Sequence, residues 1–243
     1  MEIKDKVIVV TGASTGIGLA TVRLLAKNGA ILALNARSRD KLDQLSKELP
    51  GSVAFPADMS DESAVRGMMD AIQAKFGRID ILINNAGRGM HCPLESIDID
   101  EYRKLLDLNV IGPLVAMQAA IPVMRKQGGG TIVNINSGTA LMYAPGLSGY
   151  SATKRALTGL SLTARAELAR DKIAVSVVYP YVTESDFYKN LVSAGNMPES
   201  ADDYVAGRPP ADSSEYVAKL IMDVIESGAA EIFAHDWMNR AMR

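Results

Sequence analysis

The chain has 243 residues, 48% of them hydrophobic, a single cysteine and a formal net charge of −2. That length suits one large domain, and the apolar fraction excludes disorder and supports a sizeable core. The net charge points to no nucleic-acid surface or basic membrane patch, and Cys92 alone cannot form an internal disulfide, which fits a reducing compartment.

A strand-like run begins at residue 6, leaving no room for a signal peptide. The longest apolar tract, 110–124, is broken by Gly112, Pro113, Gln118 and Pro122 and reads as shorter than a membrane span. These features predict a cytoplasmic protein with no membrane and no nucleic-acid partner.

Val7-Ile8-Val9-Val10 is apolar on both faces, as a buried strand of a parallel sheet is. The glycine run Thr11-Gly12-Ala13-Ser14-Thr15-Gly16-Ile17-Gly18 follows, then a helical pattern over 19–28 stopped by Gly29. Between a strand and a helix, such glycines let backbone approach a pyrophosphate, and the helix N-terminus offers free N–H groups. The spacing is G-x-x-x-G-x-G rather than G-x-G-x-x-G.

The second strand is 31–35. Where an acidic residue would take the ribose 2′-hydroxyl of NAD, the chain has Ala36 and Arg37. An arginine can instead hold a 2′-phosphate, with Ser38 adding a hydroxyl, so NADP is expected over NAD. The competing reading makes Arg37 and Arg39 solvated loop charges.

A helix is expected over 40–48 and a third strand over 53–57, ending at Asp58. Asp58 stands at the carboxyl edge, where open parallel sheets place ligands; it either accepts from an adenine amine or caps the helix that begins at Glu62. The fourth strand, 79–83, ends in Asn84-Asn85-Ala86-Gly87, small enough for a ribose to lie close or a plain turn. His91 and Cys92 lie in the loop 88–96, and His235 is the only other histidine, so no metal cluster is expected. A long helical pattern covers 99–127, with a bend placed near 109–113. The fifth strand, 131–136, leads directly to Ser137.

Tyr150 and Lys154 lie on one face of a helix predicted over 150–170, one turn apart. A Tyr with a pKa of about 10 must lose about 3 units, roughly 4 kcal/mol, to move protons near neutrality. A cation about 4 Å away supplies up to roughly 4 kcal/mol at an effective dielectric near 20. Lys154 is one such cation, and an oxidised nicotinamide would be a second. Taken alone, such a pair is usually an ordinary helix-surface pair. A sixth strand follows at 173–179. The irregular stretch 180–210 reads as a lid or binding loop. A helix over 211–226, a short strand at 231–234 and a tail with the sole tryptophan, Trp237, complete the chain. The alternation predicts an α/β fold: one Rossmann-type, doubly wound parallel sheet of about seven strands, helices on both faces, in a single domain spanning 1–243.

With 11–18, 84–87, Asn109, Ser137 and Tyr150 to Lys154 in this order, the chain resembles the short-chain dehydrogenase/reductase family, in its compact single-domain branch. The resemblance spans roughly 6–234. It implies that Tyr150 exchanges the proton, Lys154 binds the nicotinamide ribose and depresses the Tyr150 pKa, Ser137 positions the substrate oxygen, and Asn109 holds a relay water. It places Gly12, Ser14, Thr15, Gly16, Ile17 and Gly18 around the phosphates. Asp58, Met59, Asn85, Ala86 and Gly87 would line the adenosine and ribose, and Pro180, Thr183 and Ser185 would lie near the nicotinamide. The family's Pro-Gly after the sixth strand is Pro180-Tyr181 here, a departure that puts the substrate pocket in question.

The expected pocket draws on Met90, His91, Ser137, Met142, Tyr143, Tyr181 and Phe187. It is mostly apolar, so an uncharged carbonyl or alcohol is the expected substrate, with NADPH-dependent carbonyl reduction as the reaction. A 3-oxoacyl-carrier-protein reductase would need a basic docking patch, for which only Arg125-Lys126 offers itself. A non-enzymatic dinucleotide sensor would have lost catalytic residues, and an epimerase or dehydratase would have a longer chain. Apolar stripes on 99–127 and 150–170 predict a homodimer or homotetramer.

Overall fold

The computed structural model describes residues 2–184, 187, 191–193 and 209–240. Seven parallel strands form one sheet in the order β3-β2-β1-β4-β6-β7-β9. They are β1 (Val7–Val10), β2 (Ile31–Leu34), β3 (Ser52–Ala54), β4 (Ile81–Asn84), β6 (Gly130–Ile135), β7 (Ile173–Tyr179) and β9 (Glu231–Phe233). Successive side chains of a strand alternate between faces, so a strand buried on both must be apolar throughout. Accordingly Ile8 and Val10 join one core with Val22 and Leu25 of α1 (Gly16–Lys27), Leu42 and Leu45 of α2 (Arg39–Glu48), and Val217 and Ile221 of α7 (Ser214–Ser227). Val9 faces the other way, into a core with Val65 of α3 (Glu62–Phe76) and Val115 of α5 (Gly112–Lys126).

Local signals set the boundaries. Asp61 caps α3 by accepting from the N–H groups of Ser63 and Ala64, and Gly77 ends it in the left-handed region. Asp58, the sequence-level candidate for that cap, instead accepts from Ser60 N and Oγ at 2.9 and 2.7 Å. The pattern 99–127 resolves into α4 (Ile99–Leu106), a π-helical turn (Asp107–Ile111) and α5. Gly112 is needed where α5 begins, because a Cβ there would stand 2.1 Å from the Met59 carbonyl oxygen.

The tract 110–124, expected to be shorter than a membrane span, lies within this longer helical run. Taken together, Ile99–Lys126 is long and apolar enough to cross a membrane by length and composition. In this fold half of its apolar window is buried, and Ala116, Met117, Ala120 and Met124 pack on the sheet as core.

A second, two-stranded parallel sheet pairs β5 (Met90–His91) with β8 (Val192–Ser193). It joins the loop after β4 to the irregular stretch beyond β7, both expected to lack strands. The strand order reverses between β1 and β4, and α6 (Ser148–Leu168) brings Tyr150 to the same carboxyl edge. That edge is where doubly wound sheets open a crevice.

Candidate active site

A cleft of about 290 Å³ opens at this edge. Gly12, Thr15, Gly16 and Ile17 line one end, with Asn85, Ala86 and Gly87 beside them. Thr11 fixes that end. Its Oγ1 accepts from Asn85 N and Ala86 N, both at 3.0 Å, and Asn85 Nδ2 donates to the Thr11 and Gly12 carbonyls at 2.9 and 3.2 Å. Gly12 has φ +67°, and a Cβ on Gly18 would stand 2.1 Å from the Gly12 carbonyl oxygen. Gly18 therefore lies behind the turn rather than in the cleft, and Ser14 also does not line it. This close-packed turn ahead of α1 leaves bare backbone facing the cleft, which fits a dinucleotide pyrophosphate.

Tyr150 is 7% exposed and Lys154 5%, and both line the cleft with Ser137. The Lys154 ammonium donates to the Ile135 carbonyl at 2.9 Å and stands 5.8 Å from the centre of the Tyr150 ring. At an effective dielectric near 20, that separation is worth about 3 kcal/mol to a negative charge at the ring centre. Burial pulls the Lys154 pKa down to about 8, because the ammonium loses its hydration.

Asn136 ties the serine to the tyrosine helix. Its Oδ1 accepts from Ser137 N at 2.8 Å, while its Nδ2 donates to Lys154 O at 3.0 Å and Thr158 Oγ1 at 2.8 Å. Ser137 Oγ accepts from Thr139 N at 3.2 Å and Thr139 Oγ1 at 3.0 Å. With both bonds accepted, the Ser137 hydroxyl keeps its own proton to donate. Sequence reading passed over Asn136, although the alternation of 131–136 carried straight into Ser137.

Asn109 sits in the π-helical turn, 1% exposed and outside the cleft lining. Its Nδ2 donates to Arg88 O and Thr153 Oγ1, and its Oδ1 accepts from Arg88 N. A Cβ on Gly87 would meet both Asn109 Oδ1 and Lys154 Nζ, at 3.2 and 3.7 Å, so these two atoms flank the same glycine. The remaining lone pair of Oδ1 is the part of this amide left to hold a water.

The other predicted residues divide clearly. Met90, Met142, Pro180, Tyr181, Thr183 and Phe187 line the cleft. His91 and Tyr143 do not. The His91 ring lies against Gly146, and Tyr143 is 92% exposed with its ring 4.5 Å from the Arg155 guanidinium. Arg37 and Ser38 are exposed past the end of β2, and Ser38 caps α2 by accepting from Lys41 N. Asp58 and Met59 stand beyond β3, outside the cleft lining, and Ser185 lies outside the described residues. Sequence reading missed Leu147, Trp237 and Met238, all in the lining. The one available signal was the lone tryptophan of an unassigned tail.

The sequence model of the family described as short chain dehydrogenase matches residues 6–195. The chain belongs to the short-chain dehydrogenase/reductase family. It is 34% identical over 201 residues to a 3alpha-hydroxysteroid dehydrogenase of Mediterraneibacter gnavus, covering 80% of each chain. It is 32% identical over 229 residues to the 3-oxoacyl-[acyl-carrier-protein] reductase FabG of Thermotoga maritima, covering 91% of each. Among solved structures, a short chain dehydrogenase/reductase from Burkholderia phymatum in complex with NAD superposes with a TM-score of 0.89 at 24% identity, covering 100% of this chain and 93% of that one. The protein is thus an oxidoreductase of the carbonyl/alcohol type, within the doubly wound fold read from its sequence.

Proposed function

We propose that this short-chain dehydrogenase/reductase is an NADP(H)-dependent reductase of neutral, largely apolar carbonyl compounds. The observation that carries this reading is the meeting of Tyr150, Lys154 and Ser137 in one cleft whose opposite end is the glycine turn. A nicotinamide dinucleotide supplies hydride to the carbonyl carbon when bound. The chain's residues do the rest. Gly12, Gly16 and Ile17 give backbone to the pyrophosphate, with Gly18 allowing the tight turn. Arg37, exposed beyond β2, is the group able to pair with a 2′-phosphate, and it is the reason for preferring NADP. The NAD complex of the Burkholderia protein does not decide the point, since at 24% identity that likeness speaks for the fold.

Ser137, held by Asn136 and Thr139, donates its proton to the carbonyl oxygen and stabilises charge developing there. Tyr150 delivers the proton that completes the alcohol. Lys154 favours the ionised phenol left behind, and Asn109 steadies a water through which the proton is replaced. Burial lowers the Lys154 pKa to about 8, so in the cofactor-free protein this help fades as pH rises past that value.

Met90, Leu141, Met142, Leu147, Phe187 and Leu191 give the cleft its apolar walls, favouring neutral substrates. The Thermotoga relative supports a second reading, reduction of a 3-oxoacyl thioester carried on an acidic protein. Cofactor oxidation with NADPH and, separately, NADH across neutral ketones, charged keto acids and an acyl-carrier thioester tests both. Neutral ketones with NADPH are expected to lead; preference for keto acids, or equal use of both cofactors, would overturn the corresponding part. The exposed Ile99 and Ile111 on the 99–126 helices support a homodimer or homotetramer, and a monomer in light scattering at micromolar concentration would refute it.

A further inference from the structure

The C-terminal segment takes no part in the proton chemistry, yet it reaches the cleft. Trp237 and Met238 of α8 (Asp236–Arg240) line it beside Tyr181, Val182 and Thr183. A Cβ on Gly138, the neighbour of Ser137, would stand 2.8 Å from Met238 Cε, so the tail packs one residue from the candidate catalytic serine.

The residues before α8 are fastened at several points. Ala234 N donates to Tyr179 O at 3.0 Å, and the Tyr216 hydroxyl donates to Ala234 O at 2.6 Å. His235 Nε2 lies 3.1 Å from each carboxylate oxygen of Asp212. Asp212 is itself bonded through its backbone to the segment after β7. Its N–H donates to Val182 O at 2.8 Å, and its carbonyl accepts from Glu184 N at 2.9 Å. One residue therefore joins the tail, through its carboxylate, to the stretch that carries Tyr181 and Thr183, through its backbone. Rings complete the join. Tyr181 stands edge-on to His235 and Trp237 at 5.6 and 5.3 Å, and His235 stacks on Trp237 at 5.8 Å. Trp237 nonetheless stays 42% exposed while lining the cleft, so apolar surface remains for a bound molecule to cover.

We propose that Asp212 and His235 form a latch seating Trp237 and Met238 as a substrate wall, and that this wall selects carbonyl compounds with a broad apolar body. The reaction part of this inference rests on the carbonyl-reductase reading; the binding part does not. A carbonyl held by Ser137 and Tyr150 turns its remaining body toward the apolar walls, one of which the latch keeps in place. A two- to four-carbon ketone has little body to offer that wall and gains little from it. Asp212 and His235 are positioning residues, touching the wall rather than the substrate.

Because Trp237 is the sole tryptophan, its emission reports on the wall without any turnover. The test titrates the full-length protein with 2-decalone and with butanone, following tryptophan emission and, with NADPH, kcat and KM. Saturable change of emission by 2-decalone is expected in the wild type and in Tyr150→Phe. Asp212→Ala should raise the 2-decalone KM at least about tenfold and leave butanone kcat/KM within about twofold. Asp212→Asn, which can still bond the imidazole, should recover most of the loss. His235→Phe keeps the ring stacking, deletes the bond, and should repeat the Asp212→Ala pattern on a fold that retains its aromatic packing. Equal losses for both ketones in these variants, or turnover of 2-decalone with unchanged emission, would overturn the latch. A wild type whose emission responds while no NADPH or NADH is consumed with either ketone would overturn the reductase reading and leave the wall standing.

Discussion

On one side of the cleft, Thr11, Asn109 and Asn136 hold backbone and side-chain groups by bonds of 2.8–3.1 Å, each satisfying several polar atoms at once. On the other, Leu141, Met142, Phe187, Trp237 and Met238 present apolar surface to the cleft, from three separate parts of the chain. The difference follows from what each side must do. A proton donor and a phosphate cradle need directional bonds that fix atoms to fractions of an ångström. An apolar substrate body needs area and shape, which tolerate exchange of side chains. The cofactor side should therefore be brittle to single substitutions, and the substrate side graded.

The strongest way to break this contrast is at Lys154, the charge buried in the polar side. Its folded pKa of about 8 lies below the ordinary 10.5. Below pH 8 the ammonium is charged in both states, and the burial penalty is fully present. Between 8 and 10.5 the unfolded chain binds more protons, so stability rises with pH. The gain should reach roughly 3 kcal/mol relative to Lys154→Met by pH 10.5. Urea unfolding of both proteins from pH 7 to 10.5 checks it, and a flat difference would show that this lysine is better solvated than its burial implies.

Next comes Arg37. Deleting a charge-assisted pair to the 2′-phosphate costs roughly 1.5–3 kcal/mol, about a 10- to 150-fold loss. Arg37→Ser should lose NADPH affinity by that amount and leave NADH affinity within about twofold, read by calorimetry. Parallel loss of both cofactors would move the arginine's role to the fold.

Gly18→Ala forces a methyl against the Gly12 carbonyl. Overpacking of this kind costs roughly 1–3 kcal/mol, and it should appear as weaker binding of both dinucleotides with a lower Tm. The smallest expected effect sharpens the contrast from the other side. Tyr143→Ala, at an exposed position outside the lining, should leave KM for any ketone within about twofold, whereas sequence reading placed this ring in the pocket. A tenfold rise would restore Tyr143 to the substrate wall.

The sheet was legible because its strands are short, β-branched and apolar on both faces, and because glycines stop the helices between them. The polar side was legible for a related reason. Its residues sit within two positions of strand ends, as Thr11, Asn85 and Ser137 do, so knowing the strand gives the site. Asn136 escaped notice because it falls inside the expected strand, where a polar side chain reads as mere alternation. The substrate side was less legible. Tyr143 and His91 are close in sequence to Met142 and Met90, which reach the cleft, but a turn or a pleat directs neighbours to opposite sides. Trp237 and Met238 carry no motif. Their place depends on long-range fastening through Asp212, 25 residues from Trp237 in sequence and joined to its neighbour His235 only by the fold.

The central claim is that Tyr150 is the proton donor, made effective by Lys154 and a bound nicotinamide. Steady-state NADPH oxidation by Tyr150→Phe, with NADPH affinity measured in parallel, tests it most directly. The account predicts a fall in kcat of about 10²–10⁴, the usual worth of a general acid, with cofactor affinity unchanged. Retention of more than about a tenth of wild-type turnover would contradict it.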